Sequence, residues 1–181
     1  SPEEARAFAP ALRPSYDDPR LSPYGALDRP GLDRDAACYF APLLVERIAQ
    51  TPHQELATHS YSHYYCVEPG QDRAQFEADL RAAVAIAETR GVQLRCLVFP
   101  RNQVNHDYLP VLREQGIIAY RGVPERWALQ RGRSRLDTLV RRGVRLADNY
   151  LRLTEAATDL LRPDEDPLDL PGTLFLRPHA S

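Results

Sequence analysis

The chain has 181 residues, with 23 basic against 25 acidic side chains and a formal net charge of −2. This near-neutral balance argues against nucleic acid or a charged membrane surface as partner, and no apolar run approaches the roughly 18 residues of a membrane span. The length suffices for one domain with a real core, and it sets no oligomeric state.

All 23 basic residues are Arg, so lysine Schiff-base and general-base chemistry is excluded. Cys38, Cys66 and Cys96 are odd in number and form no C-x-x-C pair. Neither a disulfide framework nor a thiolate zinc site is expected, and Cys96, inside an apolar run, reads as core. The chain has no Met and opens at Ser1-Pro2-Glu3-Glu4, which resembles the first turn of a helix more than a leader peptide. The expectation is a cytoplasmic domain with an N-terminal piece preceding Ser1; routine processing of a complete domain is the alternative.

In chain order, residues 1–34 form a Pro-rich region. Pro10, Pro14, Pro19, Pro23 and Pro30 punctuate it, while Tyr16, Leu21, Tyr24 and Leu27 predict that it packs on the domain. A helix is predicted over 35–50, with Phe40, Leu43, Leu44 and Ile48 on one face and Thr51-Pro52 as its end. Residues 55–58 read as a short strand running into His59. Asp72 and Gln75 make a capping box for a strong helix over 72–90, whose stripe is Phe76, Leu80, Ala83, Val84 and Ala87 and whose stop is Gly91. Strands follow at 94–99 and 117–120, separated by a helix that starts at Asp107 and closes at Gly116.

Residues 131–153 are Arg-rich and read as an amphipathic helix or helix pair. A solvated basic face is the plainer reading there, and a seat for an anionic saccharide or nucleotide the sharper one. The tail over 162–169 is acidic and Pro-rich, and Leu174-Phe175-Leu176 reads as a last short strand. Short apolar strands alternating with helices predict parallel strands in an α/β fold. In such folds the site lies at the carboxyl ends of the strands, where His59, Arg101 and Arg121 fall.

His59 and His63 stand four residues apart, a spacing that aims two imidazoles the same way from a helix or a tight loop. Two nitrogen donors so placed are a common half of a divalent metal site. The helical zinc-protease pattern requires Glu after the first His; Ser60 stands there, so that mechanism lacks its base. The plain alternative is one surface histidine and one packed on a neighbouring tyrosine. Ser60 is suited to shaping the loop through a local hydrogen bond.

Residues 54–66, Gln-Glu-Leu-Ala-Thr-His-Ser-Tyr-Ser-His-Tyr-Tyr-Cys, resemble the second motif of polysaccharide deacetylases of the NodB-homology type, family 4 of the carbohydrate esterases. The resemblance runs on through the 72–90 helix to Phe99-Pro100-Arg101-Asn102-Gln103 and Tyr120-Arg121-Gly122, about half the chain. It implies a single NodB-like domain over 1–181, built as a distorted (β/α) barrel incomplete at its N-terminus. It also implies a divalent metal, zinc foremost, held by His59, His63 and an Asp, and hydrolysis of the N-acetyl group of a sugar or polysaccharide. Ser60 matches the hydroxyl that braces the loop, Glu55 the acidic residue before the motif, and Arg101 the arginine that orients the base.

The family's first motif, T-F-D-D on a strand, has only Ser15-Tyr16-Asp17-Asp18 as a counterpart, preceded by Arg13-Pro14 rather than an apolar strand. Asp17 is therefore one candidate base; the other expectation puts that strand before Ser1. His179, in Leu176-Arg177-Pro178-His179, is the counterpart of the late catalytic histidine. Asn102, Tyr61, Arg121 and Trp127 are candidate substrate contacts, and Tyr61, Tyr64, Tyr65 and Trp127 candidate stacking platforms for sugar rings. The alternative function is a non-catalytic carbohydrate-binding relative; a structural α/β domain with incidental histidines is the third.

Overall fold

The computed structural model describes residues 1–27, 29–122, 139–140, 143–144, 147 and 166–170. Trp127, His179, most of the Arg-rich 131–153 segment and the strand expected at Leu174–Leu176 lie outside the described residues. Helices are α1 (Pro2–Phe8), α2 (Tyr24–Leu27), α3 (Ala36–Tyr39), α4 (Pro42–Ala49), α5 (Arg73–Glu88) and α6 (Leu109–Glu114); strands are β1 (Cys96–Val98), β2 (Ala119–Arg121) and β3 (Leu168–Asp169). Among the described residues no helix is long and apolar enough to cross a membrane.

The strands form a parallel sheet in the order β1-β2-β3, with Val98 beside Arg121 and Tyr120 beside Asp169. Thr58 extends it by one parallel bridge: its N–H donates to Cys96 O at 2.9 Å, and its carbonyl accepts from Val98 N–H at 2.9 Å. The chain therefore passes from Thr58 through α5 to β1, and through α6 to β2. Each step is a parallel crossover, which a hairpin cannot make.

Helix α5 owes its start to the capping box: Asp72 accepts from Gln75 N–H at 2.8 Å, and the Gln75 amide oxygen accepts from Asp72 N–H at 3.1 Å. Gly91 supplies the left-handed turn after it, with φ of 66°. Asp72→Ala leaves the first-turn amides without that acceptor, and a stability loss of about 1 kcal/mol in urea unfolding is expected.

The core lies between α5, α6 and the sheet. Phe76 is its centre, with ring centroids 5.3 Å from Tyr108, 5.4 Å from Tyr64 and 6.2 Å from Phe99. Leu80, Leu97, Val111, Leu112 and Ile117 fill the space around these rings. In the Pro-rich region Tyr16, Tyr24 and Leu32 are buried.

Two expectations need correction. The helix expected over 35–50 is two, because Pro42 bars the helical region at Ala41 and offers no N–H. Its apolar residues are not a buried face either: Leu43 is 76% and Leu44 61% exposed among the described residues. The acidic, Pro-rich tail contributes β3, which pairs with β2 through Leu168 N–H on Ile118 O at 2.8 Å. Backbone pairing, which needs no apolar side chain, puts that stretch in the sheet.

Candidate metal centre

Three carboxyl ends of the sheet feed one region: Thr58 leads to His59, Val98 leads to Arg101 through Phe99 and Pro100, and Arg121 closes β2. Thr58 and Tyr120 are buried immediately before His59 and Arg121, and Phe99 and Pro100 are buried ahead of Arg101. The backbone there is unusual. Ser60, His63, Arg101 and Asn102 all hold positive φ, between 53° and 62°. For residues with a Cβ this costs on the order of 1–2 kcal/mol each, so specific contacts must hold the loops.

Those contacts are visible for the histidine loop. Ser60 Oγ accepts from Tyr64 N–H at 2.8 Å. Asp79, on α5 and fully buried, accepts from the N–H groups of Tyr61 at 2.9 Å and Ser62 at 3.2 Å, from Tyr24 Oη at 2.9 Å, and from Ser62 Oγ. Held this way, the rings of His59 and His63 meet edge to face, with centroids 4.6 Å apart.

His59 Nδ1 lies 2.5 Å from Val98 O. A carbonyl only accepts, so Nδ1 is the donor and Nε2 is the nitrogen left to ligate, the usual arrangement behind a metal-ligating histidine. Burial, then the nearby His59 and Arg101, hold His63 below the usual imidazole range. That direction favours the uncharged imidazole, the form that ligates. The Arg101 guanidinium stacks on Tyr65 at 4.2 Å and approaches Glu68 Oε1 to 3.7 Å, and Tyr65 meets His63 edge-on at 5.1 Å.

Two imidazoles sharing one zinc through bonds of about 2.0–2.1 Å have centroids roughly 4.5–5.2 Å apart. The observed centroid spacing of 4.6 Å falls at the short end of that range. Among the described residues, no group of three or more His, Cys, Asp or Glu is placed to hold a metal. Asp17 is engaged elsewhere: its N–H donates to Pro69 O at 3.1 Å and its carboxylate lies against Gly70. Asp18 caps a turn at Pro19–Leu21 and pairs with Arg20. This acidic pair is not brought to the histidines.

The other candidates separate. Burial, then the neighbouring Glu55, pushes the Cys96 thiol up, which puts Glu55 at the amino end of β1, the opposite end of the sheet from the histidines. Tyr61 stacks on Tyr24, with centroids 6.4 Å apart, and its hydroxyl donates to Ala5 O. It faces a cavity of about 430 Å³ lined by Tyr24, Leu27, Leu32 and Ile86 among others. Tyr64 is wholly buried, which rules it out as a sugar platform. Asn102 is exposed, and its backbone N–H donates to Phe99 O at 3.0 Å. Arg121 is half-buried beside Val98.

Sequence reasoning missed Asp79 and Glu68. The signal for Asp79 was present: a carboxylate on the same helical face as Phe76, Leu80 and Ala83. Cys66, next to this region, is buried, and burial pushes its thiol well above the ordinary range. Iodoacetamide labelling followed by peptide mass analysis is expected to leave Cys66 unmodified in the native chain at pH 8 and to modify it in urea. A scan against protein-family models, a search of curated proteins and a search of solved structures each found no match to this chain.

Proposed function

We propose that this chain is a metal-dependent amide hydrolase of the polysaccharide deacetylase kind, acting on an N-acetylated sugar or saccharide. His59 and His63 are read as two nitrogen ligands of a divalent ion, zinc foremost. The observation that carries the reading is the meeting of two imidazoles at the carboxyl ends of parallel strands, with His59 Nδ1 held against Val98 O. A divalent ion supplies Lewis acidity, lowering the pKa of water and polarising an amide carbonyl.

The remaining chemistry falls to the chain. Arg101, beside His63, offers a permanent positive charge to an acidic base or to a substrate oxygen, and its stacking on Tyr65 fixes its direction. Ser60 and Asp79 keep the loop in shape while substrate enters.

A second reading has its own support. No carboxylate joins the two histidines in a metal-holding group among the described residues, which favours a carbohydrate-binding relative without catalysis. Zinc calorimetry on the full chain, followed by an acetate-release assay with N-acetylglucosamine oligomers, decides between them. One zinc per chain with acetate release is expected from the first reading. Saccharide binding without acetate release favours the second, and a chain that takes up no divalent ion overturns the first.

A further inference from the structure

We infer that Asp79 is the positioning residue of the histidine loop, an inference that rests on reading His59 and His63 as a ligand pair. Asp79 sits on the inward face of α5 between Phe76 and Ala83, where a charge is costly unless its oxygens are fully hydrogen-bonded. They are. One oxygen takes the successive amides of Tyr61 and Ser62; the other takes the hydroxyls of Ser62 and Tyr24.

Three of these four donors belong to the segment enclosed by the two imidazoles. The carboxylate therefore clamps the two peptide units between left-handed Ser60 and left-handed His63. Its chemistry is specific. Four donors converge on two oxygens, an arrangement that an amide, with one oxygen and an NH₂ group, cannot accept. The helix itself does not require it, since α5 is anchored by Phe76, Leu80 and its capping box. What Asp79 orders lies 17 and 18 residues away in sequence, in the loop.

The test uses the full chain with Asp79→Asn and Ser62→Ala, each checked for folding by circular dichroism. Zinc affinity is read by calorimetry, and the His59 tautomer by long-range ¹H–¹⁵N NMR on the metal-free protein. The wild type is expected to show a single Nδ1–H tautomer at His59. Asp79→Asn is expected to weaken zinc binding by about 10–100-fold and to mix the tautomers. Ser62→Ala, which removes one of the four donors but keeps the carboxylate, is expected to shift both in the same direction by less.

Folded variants with wild-type zinc affinity and an unchanged tautomer overturn the inference, even if their melting temperatures fall. If Asp79→Asn does not fold, Ser62→Ala decides alone. A wild-type chain that takes up no zinc defeats the ligand-pair reading instead, and the metal-free tautomer then still decides whether Asp79 orders the loop.

Discussion

His59→Ala is expected to abolish stoichiometric zinc binding and, with it, any acetate release, while leaving the fold in place. The side chain is exposed and follows the buried Thr58, so its removal opens no core cavity. What it removes is one of the two imidazoles that meet here among the described residues, and with it the hydrogen bond to Val98 O. His63→Ala is expected to do the same to the metal by removing the other ring of the pair. Metal analysis after dialysis, paired with circular dichroism, checks both. Unchanged metal content in a folded His59→Ala variant removes the proposed centre.

Phe76→Ala is expected to be the most damaging of the core substitutions, at about 3–5 kcal/mol. The ring touches three aromatic neighbours and ties α5 to the residues following β1 and to the turn before α6. Whole-domain stabilities run to about 5–15 kcal/mol, so this loss takes much of the margin. Chemical denaturation monitored by tyrosine fluorescence checks it. A loss within that of the Asp72→Ala capping variant places the centre of the core elsewhere.

Helix α5 was legible because three signals agreed: a capping box at Asp72 and Gln75, a stripe from Phe76 to Ala87, and Gly91 at the end. The strands preceding Arg101 and Gly122 were legible from apolar density between turn residues. The break at Ala41 was written in Pro42, but the spacing of Phe40, Leu43 and Ile48 spoke for a continuous helix, and periodicity ignores a missing N–H. Strand β3 carried no such signal, because Leu168 and Asp169 join the sheet through backbone groups that are the same in every residue.

At the site, sequence spacing placed the histidines together, whereas the acidic partners were another matter. Asp17-Asp18 looked like a catalytic pair, and yet Asp18 serves a local turn. Asp79, passed over beside an apolar stripe, accepts from the hydroxyl of Tyr24, 55 residues earlier. A carboxylate's role depends on which donors the fold delivers to it, and that information is tertiary.

Thr58 and Tyr120 seat the backbone in the interior directly ahead of His59 and the half-buried Arg121, and Phe99 with Pro100 does so ahead of Arg101. Standing up and presenting polar groups thereby fall to separate residues along the same short stretches. Exchanging the exposed side chain of His59 or Arg101 touches none of the seats, so the edge can vary while the interior stays as it is.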